Sequence, residues 1–80
     1  MKLPRDISGT ELADLLTRYG YSVTRQTGSH LRLTTKIGGE HHLTIPDHSS
    51  LRVGTLSAIL SEAARHLKRD KYDLIRELWG

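Results

Sequence analysis

Residues 21–47 read YSVTRQTGSHLRLTTKIGGEHHLTIPD, and the fold turns on how this stretch is parsed. Its apolar residues recur with a period of two, β-branched residues are frequent, and Gly28-Ser29, Gly38-Gly39 and Pro46-Asp47 punctuate it as turns. The pattern predicts three antiparallel strands, approximately Tyr21 to Gln26, His30 to Lys36 and Glu40 to Ile45. Loops of hairpin length join them into a meander. In the second strand Leu31 and Leu33, with Thr35 in phase, face one way while His30, Arg32 and Thr34 face the other. In the third, Leu43 and Ile45 oppose His42 and Thr44. One sheet face is therefore apolar and the other polar.

Working outward, a helix is predicted on the N-terminal side. Ser8 and Glu11 have capping-box spacing, and Ile7 and Leu12 occupy the two positions of a hydrophobic staple. Leu12, Leu15, Leu16 and Tyr19 then form one apolar stripe, which Gly20 ends as a C-terminal cap. On the C-terminal side, a loop from Pro46 to Arg52 leads into a second helix with the stripe Leu56, Ile59, Leu60, Ala63, Ala64 and Leu67. Asp70 reads as the N-cap of a short third helix. The fold class is α+β, in the order α-β-β-β-α with an extra C-terminal helix. Both main helices must cover the apolar sheet face, because neither has another large apolar surface to bury against. The His30/Arg32 face is left open.

Bulk composition bounds the rest. A chain of 80 residues buries only about 60% of the surface its unfolded form exposes. With no phenylalanine and one tryptophan, its core must rest on leucine, isoleucine, valine and alanine. Residues 1–80 are expected to form a single domain, since no repeat or linker divides them. The absence of cysteine rules out disulfides, thiolate zinc sites and a thiol nucleophile. Charges in Met1-Lys2-Leu3-Pro4-Arg5-Asp6 stand where a signal peptide needs an apolar run, and no stretch approaches the ~20 apolar residues of a membrane span. A cytoplasmic protein without a membrane partner is expected.

The net charge of +3 is modest, but its distribution is uneven. Between Asp14 and Glu40 there is no carboxylate, whereas Arg18, Arg25, Arg32, Lys36 and His30 all fall in that window. On charge alone this is a solvated face, since nucleic-acid footprints are usually denser. Five histidines add groups that exchange a proton near neutral pH. His41 and His42 are adjacent in a strand and point to opposite faces, so with Glu40 and His48 they make a poor chelate, and no metal site is expected. His66, in the last turn of the second helix, is explained by the helix dipole. His30 follows a Gly-Ser turn and projects onto the open face beside Arg32. Cleavage of RNA by its own 2′-hydroxyl needs a proton-transfer group and cations for the phosphate oxygens, and His30 and Arg32 are of those types. The residues alone leave His30 either a surface histidine in a turn or such a group.

The order Gly20-Tyr21, Gly28-Ser29-His30, Ile45-Pro46-Asp47-His48, Gly54-Thr55-Leu56 and Ile59-Leu60 resembles the HicA family of toxins over about residues 19 to 60. The resemblance implies a double-stranded-RNA-binding-like fold and a metal-independent, cofactor-free endoribonuclease that arrests growth by cutting mRNA, neutralised by a HicB-type antitoxin. It makes His30 the catalytic residue. His48, in the Pro-x-His segment, matches a second family position, and Ser29, Arg32, Arg25 and Lys36, from the turn and the acid-free window, join it as expected RNA-binding or supporting residues. Gly28 and Gly54 match motif positions, and each is expected where the backbone turns sharply or another group approaches closely. His42 has no counterpart. After residue 60 the chain departs from the family pattern. Tyr72, Leu74, Ile75, Leu78 and Trp79 either extend the core or present an apolar patch to an antitoxin or a second copy. A non-catalytic RNA-binding domain on the same scaffold, and a module that binds only protein, are the competing readings.

Overall fold

The computed structural model describes residues 3–80, so Met1 and Lys2 of the charged N-terminal segment lie outside the described residues. The elements are α1 (Gly9–Leu15), a 3-10 turn (Leu16–Tyr19), β1 (Ser22–Thr27), β2 (His30–Thr35), β3 (His41–Pro46), α2 (Val53–Leu67) and α3 (Lys71–Trp79). The strands form one antiparallel sheet in the order β1-β2-β3. This is the double-stranded-RNA-binding-like α-β-β-β-α arrangement, followed by the extra helix.

Local signals account for the ends of these elements. The Ser8 hydroxyl accepts from the Glu11 amide at 3.0 Å while the Glu11 carboxylate accepts from the Ser8 amide at 3.1 Å, completing the capping box. The expected single helix to Gly20 tightens into a 3-10 turn at Leu16, where the Thr17 hydroxyl bonds back to the Asp14 carbonyl. Gly20 closes it with φ of 82°. At the other end Asp70 accepts from the amides of Tyr72 and Asp73, as an N-cap should.

Alternation along β2 builds the core. Leu31, Leu33 and Thr35 are buried while His30 and Arg32 are exposed. Leu31, Leu33, Leu43 and Ile45 pack with Leu12 and Leu16 from the first helical segment and with Leu56, Ile59 and Leu60 from α2, all in one cluster. At about 1.5–3 kcal/mol for each large side chain fully removed from water, this cluster is the main stabilising term. Leu74, Ile75 and Leu78 of α3 join it, so the C-terminal segment extends the core, while Tyr72 stays exposed. The Glu77 backbone and side chain hold this helix to Arg18 and Tyr19. Cover is incomplete at β1, whose residues are all exposed. Val23 pairs with Leu33 and Arg25 with Arg32, leaving Thr24 as a bulge that the sequence pattern did not signal.

One motif glycine differs from expectation. Gly54 lies in the first turn of α2 in open space with ordinary helical backbone, so neither a sharp turn nor a close approach requires it. Gly9 carries the close approach instead: a Cβ there would stand 2.1 Å from the Pro46 carbonyl oxygen, because its amide donates to the His48 carbonyl at 2.9 Å. Gly9→Ala must push α1 off the end of β3 and is expected to cost about 1–3 kcal/mol, as overpacking does. Gly54→Ala should instead stabilise by about 0.5–1 kcal/mol. Urea unfolding midpoints that shift in opposite directions for the two variants would bear this out; equal shifts would not.

Candidate nucleic-acid interface

The Gly28-Ser29 turn sits at one end of the sheet, with Gly28 at φ of 55° supplying the left-handed residue. Gly28 is thus a turn glycine, with no atom crowding its missing side chain. The turn is tied to the end of β3: the Asp47 amide donates to the Ser29 carbonyl at 2.6 Å, and the Gln26 amide group donates to the Asp47 carboxylate at 3.3 Å. His48 follows, its carbonyl held by Gly9 and its side chain exposed. Ser29, His30 and His48 are therefore brought to one edge, with the start of α1 behind them. Asp47 does this stitching, and its turn-forming character is the only signal the sequence carries of it.

His30 is paired with Thr27 on one side and Pro46 on the other, at the first position of β2. Its ring is exposed and makes no hydrogen bond among the described residues. Next along the same face, Arg32 stands directly opposite Arg25. Like charges across a strand pair are destabilising. Neither guanidinium forms an ion pair among the described residues, where the pairs are Glu40–His42, Arg69–Glu77 and Arg76–Asp73. This is an uncompensated cationic spot adjoining a free imidazole. Lys36 is not part of it: β2 ends at Thr35, and Lys36 lies beyond, about 20 Å from His30 at strand rise.

The remaining histidines are engaged elsewhere. His42 projects onto the open face, accepting or donating through Nδ1 with the Thr34 hydroxyl at 2.8 Å and through Nε2 with Glu40 at 3.1 Å. His41, on the other side of the strand, meets the Tyr21 hydroxyl through Nδ1 at 2.8 Å and stacks on His66, ring centroids 4.3 Å apart. His66 donates Nε2–H to the Ile37 carbonyl at 2.9 Å. It is a tertiary contact residue, beyond the helix-end role that its position suggests. Among the described residues no three His, Asp or Glu side chains converge to hold a metal.

Tyr21 is fully buried and its hydroxyl pKa is pushed up to about 12, by burial first and by the charge of Glu62 second. It stays protonated and donates, which requires a neutral Nδ1 on His41. The pKa of His41 is held below the ordinary 6.5, mainly by desolvation and then by His66, with Glu62 opposing and His42 and Arg65 adding to the depression.

A small antiparallel sheet with helices on one face and a free histidine, two arginines and hydroxyls on the other defines a scaffold of the double-stranded-RNA-binding-like type. Residues 9–65 match the family described as HicA toxin of bacterial toxin-antitoxin, and the chain belongs to that family of toxin-antitoxin toxins. The match runs from α1 through most of α2 and leaves α3 outside it. No curated protein and no solved structure matches the chain. No described helix is long and apolar enough to cross a membrane.

The His41 depression has a signed consequence for stability. Below pH 6.5 the unfolded chain takes up a proton that folded His41 refuses, so this contribution is complete above 6.5 and falls as pH drops towards the folded value. The melting temperature should therefore fall from about pH 7.5 to about pH 5. His41→Gln should flatten that slope, whatever it does to the plateau, and an unchanged slope would remove His41 as its source.

Proposed function

We propose that this toxin is a metal-independent endoribonuclease that cuts mRNA with His30 as its proton-transfer group and is neutralised by a HicB-type antitoxin. Residues 1–80 act as one HicA-like domain in the cytoplasm, α3 contributing to the same core. The carrying observation is the free His30 imidazole beside the Arg25–Arg32 pair, on the one sheet face that no helix covers. In an RNA strand the 2′-hydroxyl is the nucleophile. His30 takes its proton as the oxygen–phosphorus bond forms, the bond to the 5′-oxygen breaks, and that leaving oxygen takes a proton from water. Charge builds on the phosphoryl oxygens, where Arg25 and Arg32 stabilise it. Ser29 and His48 flank the histidine and position the strand. No cofactor enters this scheme.

A duplex clamp is a poorer reading. Such domains present cations at the start of the last helix of the motif, and here the residues entering α2 are Leu51-Arg52-Val53-Gly54, with one cation.

Because the His30 ring is exposed and unbonded, His30→Ala should leave the fold intact, and RNA cleavage should drop about 10²–10⁴-fold, the usual contribution of a general acid or base. Growth arrest on expression should vanish with it, and chelators should not affect cleavage. Arg25→Gln and Arg32→Gln should each lower the salt slope of RNA binding by about one. Cleavage unchanged in His30→Ala overturns the mechanism, and tight RNA binding without any strand scission by the unmodified chain makes it a non-catalytic RNA-binding protein.

A further inference from the structure

Beyond Arg32 the open face continues into a feature that the cleavage reaction does not use. Thr34 follows two residues on, opposite Ser22. The bulge brings Thr24 onto the same face as Arg25, where its hydroxyl lies 2.8 Å from that of Thr34. A chain of hydrogen bonds runs from the Thr24 hydroxyl to Thr34, from Thr34 to His42 Nδ1 and from His42 Nε2 to Glu40, with the Arg32 carbonyl 3.4 Å away as an alternative acceptor for Thr24. These hydroxyls are therefore held in place, and are not free surface rotors. They line an open depression of about 480 Å³ together with Gly20, Lys36 and Ile37, within the ~300–1,000 Å³ of ligand clefts.

Ile37 and Lys36 have no other role in the fold described above. Ile37 leaves 57% of its surface exposed, yet its backbone is fixed at both ends, the amide by the Thr35 hydroxyl and the carbonyl by His66. Gly20, already required by its left-handed φ of 82°, leaves room for the Ile37 side chain, whose Cδ1 lies 2.6 Å from where a Cβ would stand. A largely exposed apolar side chain is thus carried on a fixed backbone. Lys36, beside it, forms no ion pair among the described residues.

We propose that this depression is a second nucleotide subsite, taking a ribonucleotide of the strand that lies along β2 with its cut phosphodiester at His30. Resting on the ribonuclease reading for its direction, the proposal places the subsite about 13 Å from His30, four residues along the strand. Lys36 meets a phosphate, Ile37 supports the flat face of a base or ribose, and the Thr24 and Thr34 hydroxyls meet the 2′-hydroxyl or a base edge. A cation, an apolar wall and fixed hydroxyls are what a nucleotide offers partners for; a surface that only keeps the protein soluble needs no fixed isoleucine. His42 and Glu40 are positioning residues here, acting through Thr34.

The test separates binding from cleavage. Affinity for a short single-stranded RNA is measured with the full chain carrying His30→Ala, and cleavage of a dinucleoside monophosphate, too short to reach the subsite, with His30 intact. Thr34→Val, which removes one hydroxyl at constant shape, should weaken RNA binding about fivefold, the worth of one hydrogen bond. Ile37→Ser, outside the core, should weaken it similarly. Lys36→Gln should lower the salt slope by about one, and DNA of the same sequence should bind more weakly and respond less to Thr34→Val. All three variants should leave dinucleotide cleavage unchanged. If the unmodified chain cuts nothing but these affinity losses appear, the subsite stands and the cleavage reading falls. If cleavage depends on His30 but RNA affinity and salt slope are unmoved in all three variants, the subsite is overturned and Ile37 is left to a protein partner.

Discussion

Everything in this molecule depends on the strict alternation of side chains along β2. Leu31, Leu33 and Thr35 are drawn into the core, and the same geometry forces His30, Arg32 and Thr34 out on the opposite side. The described helices cover only one face of the three-stranded sheet. α1 and α2 both spend their apolar stripes on that one face. The open face is thus what remains once the core is satisfied. A slip of one residue in the β2 register would bury His30 and Arg32 and expose the leucines.

Much of this was legible in residues 21–47, for a physical reason. Period-two burial and glycine turns are local properties, so the meander, its face assignment and the exposure of His30 could be read directly. The capping box of α1, the Asp70 N-cap of α3 and the apolar stripes of the helices were legible on the same grounds. What was not legible depends on contacts between distant segments. The Thr24 bulge follows from how β1 accommodates β2, and Val23-Thr24-Arg25 alone suits a regular strand equally well. Gly9 is required by the Pro46 carbonyl, 37 positions away, while Gly54 is a motif glycine for which the fold offers no steric reason.

The site divides in the same way. His30, Ser29, Arg25, Arg32 and His48 come together because neighbouring hairpins bring their ends to the same edge, which the strand order already implies. Lys36 belonged to the same acid-free window, but charge windows ignore direction along a strand, and six strand positions carry it to the far end. The Thr34–His42 contact could have been found, since a turn centred on Gly38 sets those two residues opposite one another. Glu40, two residues before His42, completes it. The His41–His66 stack had no such signal, because only the packing of α2 against β3 creates it.

The histidines show how tertiary structure sorts residues that composition treats alike. Three of the five rings are bonded inside the chain, His41 to Tyr21, His42 to Thr34 and Glu40, and His66 to Ile37. A ring whose nitrogens are committed to the protein must break a bond before it can serve a substrate, and each such bond is worth about 1 kcal/mol or more. His30 and His48 have no such commitment among the described residues. Of these two, only His30 adjoins a pair of arginines whose mutual repulsion no carboxylate relieves. An anion placed between those guanidiniums would remove a cost the empty fold carries, and the imidazole on the same face has no hydrogen bond among the described residues to break first. The histidine proposed for catalysis is thus set apart from the structural ones by ring nitrogens that no hydrogen bond among the described residues engages.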